Sequence, residues 1–241
     1  MVYEYNGVSI YYRFFNKGKT TPIVLMHGWG VDSTIFDDLI GFFPDKTFLT
    51  IDFPPFGKSG KNVCDWNIFT YVGMFISLCE NLNITKCDIL SHSFGGRIAI
   101  IVSSINSSLV QSCIFVDSAG MKPRHSLKYH IKVLKYKFFK KHKKDVSNFG
   151  SSDYRALSPQ HRKLFNRIVN EYLEVYAKEI KSKSLLIWGK CDTQTPLYMA
   201  RRMKKLIKES KLLVLENCGH FPFIECRLEF YKAVSEFWEA L

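Results

Sequence analysis

Ser91-His92-Ser93-Phe94-Gly95-Gly96 sets a serine between two small residues, after an apolar run and before an Ala/Ile-rich stretch. A strand that turns sharply into a helix needs small side chains two before and two after its apex. It also leaves the apical hydroxyl at a helix N-terminus, where N–H groups favour negative charge. Ser93 is therefore a candidate nucleophile; the plain alternative is a serine that caps a helix. A serine nucleophile needs a general base, and the base needs a carboxylate to orient it. Asp192, in Trp188-Gly-Lys-Cys-Asp-Thr-Gln-Thr-Pro196, and His220, in Asn217-Cys-Gly-His-Phe-Pro222, supply both types. Upstream stands His27-Gly-Trp-Gly30, and the backbone N–H groups of Trp29 and Phe94 are the candidate donors to a developing oxyanion.

Such groups meet only if strand ends bring them together. Val2–Tyr5 and Ser9–Phe15 flank Asn6-Gly7, the dipeptide of a tight type I′ hairpin. Short, largely apolar runs follow at Ile23–Met26, Thr47–Ile51, Asp88–Leu90, Cys113–Val116, Leu185–Trp188 and Leu212–Leu215. Runs without alternation suit parallel strands buried on both faces. Helical patterns near 33–43, 66–82, 95–105, 196–208 and 224–240 lie between them, so the sequence predicts an α/β chain with a doubly wound, mostly parallel sheet. Ser93, Asp192 and His220 each follow a strand, in the chain order serine, acid, histidine.

The rhythm breaks between Asp117 and Ser184. Residues 121–183 predict a helical lid inserted into a core made of 1–120 and 184–241. Leu127, Ile131, Leu134 and Phe138 share one helix face, expected to look into the pocket with lysines in water. Ser158-Pro159 opens a second helix, whose apolar face runs through Leu164, Ile168, Tyr172 and Val175.

With these residues in place, the chain resembles the α/β-hydrolase superfamily, above all small bacterial carboxylesterases and the C–C bond hydrolases of aromatic degradation. Asp52-Phe-Pro-Pro-Phe-Gly-Lys-Ser59 looks like that superfamily's Asp-x-Pro-Gly-x-Gly-x-Ser loop, with Pro55 standing where glycine is usual. The resemblance implies the α/β-hydrolase fold with its helical cap after the sixth strand, no metal and no cofactor. The expected activity is a serine hydrolase acting on small or medium carboxylic esters with an apolar acyl part. The alternatives are a C–C bond hydrolase or menaquinone-pathway-type lyase with an anionic substrate, and a non-catalytic ligand-binding module on the same fold.

Asp117 also ends a strand and is the rival acid, but the Gly-x-x-Asp-x-x-x-Pro setting of Asp192 favours Asp192. His92, next to the nucleophile, is expected to pack, and His27 to shape the oxyanion loop by hydrogen bonding. His125, His130, His142 and His161 are expected on a solvated surface. Phe36, Phe53, Phe56 and Trp66 are pocket candidates by position, and Arg97 is either a helix-surface arginine or a receiver for a substrate carboxylate.

Of 241 residues, 34 are Lys or Arg and 22 Asp or Glu, a net charge of +12. Residues 121–183 hold 17 of the bases and five of the acids, so the insertion carries the whole excess and the rest is neutral. The plain reading of that placement is a lid with its lysines in water. The sharper alternatives are attraction of anionic substrates or of an anionic membrane surface, and nucleic acid ranks behind both, since no nucleic-acid motif accompanies the charge. Seven cysteines without a Cys-x-x-Cys pair argue against a disulfide framework or zinc ribbon. Met-Val-Tyr-Glu-Tyr lacks the pattern of a signal peptide, and with free thiols the expected compartment is the cytoplasm. Nothing in the sequence fixes an oligomeric state.

Overall fold

The computed structural model describes residues 1–124, 127–142, 144–145 and 157–241. Asn6 and Gly7 have positive φ (51° and 74°), as a type I′ turn requires, and they join β1 (Val2–Tyr5) to β2 (Val8–Phe15). The apolar runs become β3 (Ile23–Met26), β4 (Phe48–Ile51), β5 (Cys87–His92), β6 (Val110–Val116), β7 (Lys183–Gly189) and β8 (Ser210–Leu215). They form one eight-stranded sheet in the order β1-β2-β4-β3-β5-β6-β7-β8, parallel from β4 onward. The order reverses direction at β3, so the loops after β3 and β5 meet where open α/β sheets bind ligands.

Helices cover both faces: α1 (Asp37–Phe42), α2 (Ile68–Asn81), α3 (Phe94–Ile105), α7 (Leu197–Leu206), α8 (Pro222–Glu225) and α9 (Arg227–Glu239). Successive strand residues point to opposite faces. Val24, Met26, Ile89, Phe115 and Trp188 pack with α2 and α3, while Ile23, Leu25, Leu90, Ile114 and Ile187 pack with Phe36, Phe230 and Trp238. All seven cysteines are free. No helix among the described residues is long and apolar enough to cross a membrane.

Between β6 and β7 lie α4 (Leu127–Lys141), α5 (Pro159–Val169) and α6 (Glu174–Glu179). Ser158 caps α5 as the sequence predicts, its Oγ accepting the His161 N–H at 3.3 Å. Leu164 and Ile168 are buried, but the helix stops at Val169 and Val175 is exposed, so the predicted face does not continue past the break. The larger departure is α4. Ile131, Leu134 and Phe138 are 58, 66 and 54% exposed, and the half-buried side is Val133, Tyr136 and Phe139. The expected inward stripe faces outward. The side chains of Leu127 and His130, and all of His125, lie outside the described residues.

Candidate active site

Hydrogen bonding at the strand ends brings the sequence candidates to one edge. The Ser93 N–H bonds to the Val116 carbonyl at 3.1 Å, and the Asp117 N–H to the Ile187 carbonyl at 3.0 Å. Ser93 sits between β5 and α3 at φ 47°, ψ −107°, a conformation a non-glycine residue holds only where its surroundings impose it. The Gly95 N–H bonds to the His27 carbonyl at 3.1 Å, and a Cβ on Gly95 would collide with the Met26 carbonyl. A Cβ on Gly96 would strike the Ser118 hydroxyl. Ser91, where the common pattern has glycine, stays buried with its hydroxyl 3.3 Å from the Ile114 carbonyl. Ser93 makes no side-chain cap bond to α3, which removes the capping alternative. From Ser91 to Ser103 it is the one residue that is not buried.

His220 Nδ1 lies 2.8 Å from Asp192 Oδ2, both groups buried. Asp192 is held from every side. Oδ1 accepts the N–H groups of Gln194 (2.7 Å) and Thr195 (3.2 Å), and Oδ2 lies 2.5 Å from the Thr195 hydroxyl. Burial raises its pKa, but the bonds from His220 and Thr195 outweigh that and hold the carboxyl far below the usual range. An ionised Asp192 fixes His220 with Nδ1 protonated and Nε2 open to accept a proton.

Asp117 stands behind this pair. Its Oδ1 accepts the Gly189 N–H at 3.0 Å, and its buried Oδ2 has no protein donor. Burial, then the neighbouring Asp192 charge, raise its pKa to about 10, so the carboxyl is neutral near pH 7. Asp117, Asp192 and His220 are the one trio among the described residues whose ligand-type atoms lie within 4.8 Å of one another. Of these, His220 Nδ1 donates to Asp192, while Asp117 accepts the Gly189 N–H.

The loop after β3 adjoins the serine, since a Cβ on Gly28 would lie 3.3 Å from Ser93 Cβ and 2.7 Å from His92 Nδ1. The Trp29 and Phe94 amides make no backbone hydrogen bond among the described residues outside helix and strand ladders. His27 donates from Nδ1 to the Gly28 carbonyl (2.7 Å) and accepts the Phe53 N–H at Nε2 (2.8 Å), so both nitrogens shape the loop. Burial lowers its pKa and keeps it neutral. The Trp29 ring meets Phe56, Phe94 and Phe165 edge-on at 4.9–5.5 Å, which seats α5 over this loop. Asp52, opening the proline-rich loop, accepts the N–H groups of Ser33 (3.0 Å) and Lys58 (2.8 Å), and Pro54–Pro55 is cis.

The pocket candidates fare unevenly. Phe36, Phe53 and Trp66 are buried in the core, Trp66 edge-on to Tyr5 and Tyr71. Arg97 is neither a surface arginine nor positioned for a substrate carboxylate. It is 6% exposed and its guanidinium donates to the carbonyls of Ile168 (2.9 Å), Val169 (3.3 Å) and Glu171 (2.7 Å) at the C-terminus of α5. A cation there meets the negative end of the helix dipole and satisfies its last carbonyls.

Three supporting residues carry no sequence signal of their own. His92 donates from Nε2 to the His220 carbonyl at 2.7 Å, and burial lowers its pKa to about 3. Glu225 accepts the Gly219 and Phe221 N–H groups at 2.6 and 3.0 Å, holding the His220 loop from its other side. Thr195 holds Asp192.

An eight-stranded α/β sheet with a strained serine after β5 and an acid–histidine pair after β7 and β8 defines the class of hydrolases built on this architecture. The chain belongs to the alpha/beta hydrolase family, whose profile matches residues 23–233. It is 24% identical over 244 residues to an uncharacterized hydrolase, YugF, of Bacillus subtilis (strain 168), covering 89% of each chain. It is 22% identical to the 2-hydroxy-6-oxo-6-(2'-aminophenyl)hexa-2,4-dienoic acid hydrolase of Metapseudomonas resinovorans, covering 96% of this chain and 89% of that one. Among solved structures, the enol-lactonase of Burkholderia xenovorans LB400 superposes with a TM-score of 0.79 at 18% identity, over 99% of this chain and 100% of that one.

Proposed function

We propose that the chain is a serine hydrolase that cleaves carboxylic esters through an acyl-enzyme. Ser93 Oγ attacks the ester carbonyl and gives its proton to His220 Nε2, while Asp192 stabilises the imidazolium through Nδ1. The N–H groups of Trp29 and Phe94 hold the tetrahedral oxyanion, His220 returns the proton to the leaving alcohol, and water activated by His220 releases the acid. Residues 121–183 act as the lid, with α5 against Trp29. The carrying observation is that Ser93 alone on its turn is open and strained, with a hydroxyl that caps nothing.

The enol-lactonase likeness is in keeping with an ester substrate, and the dienoic acid hydrolase likeness with a C–C bond. The ester reading is favoured because Arg97, the candidate receiver for a substrate carboxylate, is buried and tied to the carbonyls of the α5 end. Labelling by a fluorophosphonate probe is the test. Wild type labels, Ser93→Ala does not, and both melt at the same temperature. Equal labelling of the two, or none of folded wild type, refutes the nucleophile. Turnover of p-nitrophenyl butyrate should exceed that of a dienol-ketoacid; the reverse order moves the chain to C–C cleavage.

A further inference from the structure

We infer that α4 is an interfacial anchor that docks the protein on anionic phospholipid bilayers, lying flat with its Ile131–Leu134–Phe138 stripe in the acyl boundary. A helix with one apolar stripe turns it to the core. This helix has two, and the half-buried Val133–Tyr136–Phe139 side leaves the other outside. At about 100° per residue, Ile131, Leu134 and Phe138 fall within roughly 60° of helix surface. Lys135 borders that arc on one side, Lys137 and Lys141 on the other, and all three are exposed. A narrow apolar stripe rimmed by lysines is the pattern of a helix seated in a headgroup layer, its aliphatic stems along the stripe and its ammonium groups at the phosphates.

Charge complementarity selects the partner. Residues 122–144 hold ten bases and no acid. A separate groove of about 580 Å³ is also basic, lined by Arg124, Arg201, Arg202, Lys204 and Lys205 beside Tyr198 and Leu212. Within the groove Arg202 is paired with Glu174 at 3.2 Å, and Arg124 stacks on Tyr198 at 4.7 Å. A nucleic acid would be drawn to the same cations but would gain nothing from three exposed aliphatic and aromatic side chains in a row. An anionic bilayer uses both.

The test is co-sedimentation with vesicles of phosphatidylcholine alone or mixed with phosphatidylglycerol, at low and high salt. Wild type should partition onto the mixed vesicles at least about a hundredfold more than onto phosphatidylcholine, and lose most of that at high salt. A basic residue at such a surface is worth roughly a factor of five, so Lys135→Gln, Lys137→Gln and Lys141→Gln together should cost about a hundredfold. Ile131→Ser, Leu134→Ser and Phe138→Ser together should cost at least tenfold, with the melting temperature and fluorophosphonate labelling unchanged. In Phe138→Trp the added indole emission should shift to the blue on mixed vesicles. Equal partition onto both vesicle types, full binding by the serine variant, or no blue shift overturns the anchor. So does an RNA homopolymer that binds wild type and serine variant alike and displaces the vesicles. Labelling of Ser93 reports the proposed chemistry separately, so neither failure mimics the other.

Discussion

At the scale of the residue, two carboxyl groups in one site must differ in protonation, and their hydrogen bonds decide which is charged. Asp192 has four donors and stays ionised; Asp117 has only the Gly189 N–H and, beyond its burial, a neighbour of like charge, so it keeps its proton. Asp117→Asn keeps the group neutral and keeps an acceptor for the Gly189 N–H, and should hold kcat within about tenfold. Asp117→Ala leaves a buried N–H without a partner, at a cost of about 1–3 kcal/mol. A loss of several orders in the Asn variant would make Asp117 the orienting acid. The pH dependence has a fixed sign. The native state holds a proton that the unfolded chain releases near 3.8, so the Asp117 contribution to stability falls as pH rises towards its native value of about 10. Asn has no such titration, so melting curves should show the Asn variant gaining on wild type from about pH 5 to about pH 9; a constant gap means an ionised Asp117. Ser93, Asp192 and His220 were legible because each follows an apolar run in a fixed order. His92, Glu225 and Thr195 were not, since their work is to hold loops that only folding brings alongside.

At the scale of the element, the strands were readable because burial on both faces leaves no polar alternation, and the helices between them followed. Periodicity gave α4 its stripe but not what covers it; sequence can show that residues share a face, whereas packing decides which face the core takes. Arg97 marks the same limit. An arginine after Gly95-Gly96 gives no sign of reaching about 70 residues along the chain to close the end of α5. That contact joins α3 to the insertion, so its loss should be structural. Arg97→Met leaves three carbonyls of the α5 end without their donors and should cost about 3 kcal/mol in urea unfolding. Arg97→Lys should recover less than half, because an ammonium lacks the planar fork that serves several acceptors. Full stability in Arg97→Met, with turnover lost only on substrates bearing a carboxylate, would restore the arginine to substrate recognition.

At the scale of the whole molecule, charge and packing divide the chain in the same place. A neutral core carries the proposed site, and the segment from 121 to 183 carries the entire excess of +12. Like charges without acids repel, and a helix whose exposed stripe has no core beneath it gains little from burial, so both effects lower the local stability of α4. The buried, acid-free helix α3 feels neither, its residues from Phe94 to Ser103 being packed between sheet and neighbouring helices. Two tiers of stability should follow. In hydrogen exchange, amides of Ile131–Lys141 should open orders of magnitude faster than those of Ile98–Val102. Added salt screens the lysine repulsion within a Debye length of about 10 Å at 0.1 M, so it should slow exchange in α4 several-fold and leave α3 unchanged. Mixed anionic vesicles should protect α4 further and α3 not at all. Uniform exchange across both helices would mean that α4 is bound into the core, and that the charge is held in place by packing rather than left available to a partner.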